Sequence, residues 1–148
     1  MNKQLLAFSI TAILFLGGCS FLEGVNNTLN YVNEATEYVS EVTTFVQEVP
    51  ALAEQAVTDE QALAELESKL ELMKKEMEAF NQLQAPEIAS DLHQQIINHN
   101  TKALEGIDLY LNSIENGTFD PTVLENTEIF QSFREIAITI DQIKQLGQ

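Results

Sequence analysis

The residues best suited to polar chemistry lie in one short stretch, LHQQIINHN, which ends at Asn100. This stretch contains both histidines of the chain, His93 and His99. They are six residues apart, so on a helix they face different directions and cannot share a metal ion as an i, i+4 pair does. A dimetal site in a helical bundle needs Glu-x-x-His pairs, but Ser90 and Ile96 precede the histidines by three residues. No metal site is predicted.

Two interpretations of this stretch stay open. On a helix, His93 and Asn100 would lie along the edge of the apolar face, and His99 would lie on its centre line. The plainer interpretation is a histidine that is hydrogen-bonded within the core. The alternative is a small polar pocket at His93, His99 and Asn100 that binds a ligand or forms a pH-sensitive contact.

The chain carries no motif that marks catalysis. It has no G-x-S-x-G or S-x-x-K around a serine, and no glycine-rich loop that would hold a phosphate. Pairs of carboxylates are unavoidable among 23 acidic residues, so a pair by itself indicates nothing. We therefore expect a protein that is not an enzyme and that needs no cofactor.

The one cysteine, Cys19, ends an N-terminal segment with the parts of a secretory signal. Lys3 supplies a positive charge, and the apolar run Leu5–Leu16 follows it. A run of this length is too short to cross a hydrocarbon core of about 30 Å as a helix. The segment closes with LGGC, which resembles a bacterial lipobox.

In proteins with such a lipobox, diacylglycerol is joined to the cysteine sulfur, and the chain is then cut before that cysteine. The resemblance implies cleavage between Gly18 and Cys19, with residues 1–18 as the signal peptide and residues 19–148 as the mature domain. The attached diacylglycerol would supply two acyl chains such as palmitate. Two acyl chains anchor a protein stably in a membrane, whereas one chain gives only marginal membrane binding. The predicted location is the extracytoplasmic face of the cell membrane.

The mature chain is strongly acidic. It would keep six basic and all 23 acidic residues, a net side-chain charge of −17. Nucleic-acid binding depends on lysine and arginine at the phosphates, so a nucleic-acid partner is not expected. An anionic lipid surface would repel the domain as well, so the lipid on Cys19 is predicted to be its sole membrane attachment.

The first long segment after Cys19 repeats every seven residues, which predicts a helix in a left-handed bundle. Pro50 is expected to kink this helix without ending it. A glutamate column, Glu34, Glu41 and Glu48, is predicted to point mostly to water. Three apolar columns are predicted to face the core: Val25, Val32, Val39, Val46 and Ala53; Ala35, Val42, Val49 and Ala56; Tyr31, Tyr38, Phe45 and Leu52.

Three further helices are predicted. The second begins with Thr58 as its cap, and the third begins with Pro86 as its first helical residue. The third ends at Asn116-Gly117, and the fourth begins at Asp120-Pro121. No segment alternates with period two, so no sheet is expected. The predicted fold is all-α, an antiparallel up-down four-helix bundle that is monomeric and follows a lipoprotein signal peptide.

The whole precursor resembles a family of small lipoproteins of unknown function from Bacillus-type bacteria. The similarity rests on LGGC, on FLEGVNNTLNYVNEATEYV, and on APEIASDLHQQIINHN. The resemblance implies a Gram-positive host but no activity. Two functions are consistent with it: a module that binds another envelope protein or a wall component, or a lipoprotein with a ligand pocket near His93–Asn100.

Overall fold

The computed structural model describes the backbone of residues 18–121 and 128–146, and the side chains of residues 26–121 and 128–146. Every regular element in this part of the chain is helical, which confirms the predicted all-α class. A 3-10 turn, Glu87–Ala89, precedes the third helix. The four α-helices are α1, Gly18–Ala56; α2, Glu60–Asn81; α3, Ser90–Glu115; and α4, Glu128–Leu146.

The helices form the predicted up-down bundle. The main contacts join α1 to α2, α2 to α3, α3 to α4 and α4 to α1, which places α1 and α3 on a diagonal. Two hydrogen bonds cross this diagonal, Tyr31 to His93 and Tyr38 to Asn100, and each joins residues 62 positions apart. A constant offset requires α1 and α3 to run parallel. The short connection between α1 and α2 makes α2 antiparallel to both.

The heptad repeat of α1 supplies one wall of the core. Two of the three predicted columns are buried: Tyr31, Tyr38, Phe45 and Leu52, and Ala35, Val42, Val49 and Ala56. The valine column differs in part from the prediction. Val32, Val39 and Val46 are only half-buried at the border of the core, whereas Ala53 is buried, and the side chain of Val25 lies outside the described residues. A charge at Val39 could therefore reach water, so its expected cost is smaller than that of a charge at a fully buried position.

Two predicted helix starts were wrong in detail. The cap of α2 is Asp59 and not Thr58, because the Asp59 carboxylate accepts hydrogen bonds from the backbone N–H groups of Gln61 and Ala62. Pro86 is not inside α3 but precedes the 3-10 turn. That turn leaves the apolar side chain of Ile88 62% exposed.

The remaining boundaries agree with the sequence where the structure describes them. α1 continues through Pro50 to Ala56, as expected. α3 ends at Glu115 with Asn116 as its C-cap, and Gly117 has a φ of 66°, a left-handed conformation that glycine adopts at low cost. The expected start of the fourth helix at Asp120-Pro121 runs into residues 122–127, which lie outside the described residues.

Candidate functional site

A line of polar side chains crosses the centre of the bundle from α1 to α3. The hydroxyl oxygen of Tyr31 lies 2.8 Å from Nδ1 of His93, and the tautomer of the imidazole decides which of the two donates. Both residues are buried, at 3% and 8% exposure. The Tyr31 and His93 rings meet edge to face at 5.5 Å, and the Phe80 ring lies 5.3 Å from His93. His93 is therefore held in an aromatic setting inside the core.

About two helical turns further along α3, Asn100 joins α1, α2 and α3. The Tyr38 hydroxyl donates to Oδ1 of Asn100 at 2.6 Å, and Nδ2 of Asn100 donates to Oδ1 of Asn81 at 2.8 Å. Asn100 is fully buried, and the Tyr38 ring stacks on Phe80 at 4.4 Å. In the part of the chain that the structure describes, no buried side-chain nitrogen or oxygen lacks a partner. Asn100 thus fixes α1, α2 and α3 in one register.

Burial keeps this polar line uncharged near neutral pH. Desolvation raises the pKa of Tyr31 and of Tyr38 well above the usual value for a phenol. Desolvation also lowers the pKa of His93, because the charged imidazolium is disfavoured in the core. These groups therefore act as neutral hydrogen-bonding partners, which is the plainer of the two interpretations offered by the sequence.

The structure separates His99 from His93 and Asn100, so the three predicted site residues do not form one pocket. His99 is half-buried beside a shallow depression of about 80 Å³ that Lys102, Ser132 and Glu135 also line. The expected placement of His99 on the centre line was wrong, because the buried line is 93, 96, 100, 103, 107 and 110. Among the described residues, no group of three or more histidine, cysteine or carboxylate side chains is placed to hold a metal ion.

The surface carries a feature that was not predicted from the sequence, an open groove that runs between α1 and α2 and extends along α1 to the α2–α3 connection at residues 84–87. It consists of three successive depressions of about 460, 310 and 220 Å³. The first two share Glu34, and the last two share Glu41 and Glu76, so the groove is continuous. We call it the α1/α2 groove. Its floor is the outer edge of Tyr31, Tyr38 and Phe45.

The glutamate column of the heptad repeat forms one rim of this groove. Glu34, Glu41 and Glu48 all line it, and their side chains are exposed, as expected. The sequence did contain a signal for this groove. An aromatic column and an acidic column both repeat every seven residues, and the acidic column lies three residues after the aromatic one. That signal could be interpreted as a groove only once α2 was known to lie beside α1.

The predicted lipid site lies at the start of the described chain. The backbone of α1 begins at Gly18 and includes Cys19, but the side chains before Asn26 and all of residues 1–17 lie outside the described residues. A single helix thus leads from Cys19 into the bundle. Within the described ranges, no helix has both the length and the hydropathy to cross a membrane.

The comparisons with known proteins agree with the resemblance seen in the sequence. The chain is similar to the uncharacterised lipoprotein YybP of Bacillus subtilis (strain 168), with 38% identity over 136 residues, which is 92% of each chain. No solved structure matches. Residues 31–146, which span most of α1 and all of the later helices, match a family of unknown function (DUF6376). The chain therefore belongs to the family DUF6376.

Proposed function

We propose that this protein is a lipid-anchored interaction module on the extracytoplasmic face of a Gram-positive cell membrane, and that it is not an enzyme. In this proposal the signal peptide is cut between Gly18 and Cys19, and diacylglycerol on Cys19 holds the domain at the membrane. The bundle then binds another envelope protein through the α1/α2 groove.

Two observations support the lipid anchor. The relative YybP carries the name lipoprotein and aligns with 92% of this chain. The LGGC sequence ends at the chain's one cysteine, where a lipidated residue would have to be. A protein held in this way needs no membrane-spanning helix, because two acyl chains give stable anchoring.

The α1/α2 groove carries the interaction part of the proposal. It is an open surface feature that runs along two helices, whereas His93 and Asn100 are engaged in hydrogen bonds inside the core. The polar residues that suggested a ligand pocket are thus already used to fix the bundle. The acidic lining disfavours a phosphate-rich wall polymer as the partner, since like charges repel.

Site-specific photo-crosslinking in living cells tests the proposal. A photoreactive amino acid replaces Glu37, which lines the middle of the groove, or Glu54, which is exposed outside it. We expect position 37 to give one discrete adduct in the membrane fraction, and position 54 to give none. Equal adducts from both positions, or none from position 37, would contradict a groove-specific interaction.

A further inference from the structure

Resting on the interaction role proposed above, we infer that the α1/α2 groove binds a basic amphipathic helix of a partner protein. The proposed occupant is a helix that carries lysine or arginine beside a face of aliphatic side chains. Three properties of the groove lead to it: its length, its charge and the apolar line along its α2 side.

The length of the groove suits a helix and not a small molecule. Its lining extends on α1 from Asn27 to Glu48, which corresponds to about 30 Å at 1.5 Å per residue. Small-molecule sites are concave and bury most of their ligand, but these depressions are shallow and lie end to end. A helix of about 20 residues would cover the whole groove.

The charge of the groove requires a cationic partner. Its carboxylates far outnumber its basic groups, since Lys69 is the one basic residue among its described lining residues. The ammonium of Lys69 lies 2.7 Å from Glu48 and is therefore already paired. The middle depression has four glutamates and no basic residue. The carboxylates of the groove belong to Glu34, Glu37, Glu41, Glu48, Glu76 and Glu87.

The α2 side of the groove also offers an apolar contact surface. Leu72 and Ala79 lie on one face of α2 and line the groove, and Leu83, just beyond the end of α2, lines it as well. Leu72 is 55% exposed, although α2 has a full buried line of its own. These apolar residues continue the aromatic floor of α1 across the groove. An occupant with charges alone would leave this surface in water, so we expect aliphatic side chains to cover it.

The experiment uses the full chain, purified with its anchor into nanodiscs of phosphatidylcholine, with empty nanodiscs as a blank. The probe is a synthetic helix of about 20 residues, made of leucine and lysine with the leucines on one face. A second peptide has the same composition in an order that destroys the apolar face. Calorimetry at physiological salt measures both affinities.

A matched pair of variants locates the binding. Glu34→Gln, Glu41→Gln and Glu76→Gln together neutralise the groove, and all three positions are exposed, so the fold should persist. The control neutralises three exposed glutamates outside the groove, Glu54, Glu67 and Glu105, which changes the net charge equally.

We expect the amphipathic peptide to bind about tenfold more weakly to the groove variant, and within about twofold of the original affinity to the control. Equal weakening in both variants would mean general attraction to an acidic protein. Equal binding of the second peptide, which lacks an apolar face, would mean that apolar contacts do not contribute. Either result, or no binding, overturns the inference. A groove adduct that persists in cells despite such a result would leave the proposed function intact with a different partner.

Discussion

The hydrogen bond from Tyr38 to Asn100 can be measured by a double-mutant cycle. Tyr38→Phe removes the hydroxyl and leaves the fully buried Oδ1 of Asn100 without its donor. Asn100→Leu removes the acceptor and leaves the buried hydroxyl of Tyr38 unpaired. A buried polar group without a partner costs about 1–3 kcal/mol, so we expect each single change to lower the free energy of unfolding by that amount.

The double variant should be more stable than the sum of the two changes predicts. Replacing both partners by apolar groups of similar shape leaves no unpaired group between them. Asn81 loses its donor in this variant, but it is only half-buried and water can take the donor's place. We therefore expect a coupling energy of about 1–2 kcal/mol between the two positions.

Urea unfolding of the soluble domain, residues 20–148, followed by circular dichroism, measures all four free energies. For a domain of this size, each single change should also lower the melting temperature by about 4–12 °C. A coupling energy below about 0.5 kcal/mol would mean that the two changes are independent. That result would refute the claim that this buried bond fixes the bundle.

Further changes test other parts of the fold. Gly106→Ala should lower stability by about 1–3 kcal/mol despite its better helix propensity, because a Cβ there would overlap the buried Ile129 side chain; no loss in a thermal melt would contradict this close approach. Asp59→Ala should cost about 1 kcal/mol and Thr58→Ala much less; equal losses in urea unfolding would reverse the assignment of the cap. His93 has a lowered pKa in the fold, so its contribution to stability is full above its unfolded value of about 6.5 and falls as the pH decreases below it. His93→Asn should remove part of that fall, of at most about 1.4 kcal/mol per pH unit; identical pH profiles for the variant and the original chain would count against a buried neutral histidine.

The helical class and the bundle could be predicted because the apolar period is long and regular. Apart from Ala53, the buried residues of α1 alternate at spacings of four and three from Tyr31 to Ala56, so the heptad repeat of the sequence is also the repeat of the core. The start of α2 was misplaced by one residue, because two neighbouring residues, Thr58 and Asp59, both have side chains that can cap a helix. The extended backbone of Asp59, with φ −127° and ψ 111°, and the hydrogen bonds that its carboxylate accepts from Gln61 and Ala62 separate them.

The positions of the polar residues on α3 were missed for a different reason. Counting apolar residues placed the centre of the face between Ile96 and Ala103, which favoured His99. The buried positions are in fact two interleaved series of seven, and His93 and Asn100 occupy places in one of them that aliphatic residues usually fill. Their partners on α1, Tyr31 and Tyr38, are themselves seven apart. That matching period was present in the sequence, but only the diagonal placement of the helices gives it meaning.

The anchor can be tested most directly by mass spectrometry of the N-terminal peptide from the membrane fraction. We predict a mature chain that begins at Cys19 and carries diacylglycerol on the sulfur, so that the peptide mass exceeds that of the unmodified sequence by the attached lipid. The variant Cys19→Ala should be released from the membrane or remain uncleaved. A membrane-bound chain with an unmodified Cys19, or a mature N-terminus elsewhere, would contradict the proposal that this bundle acts as a lipid-anchored module.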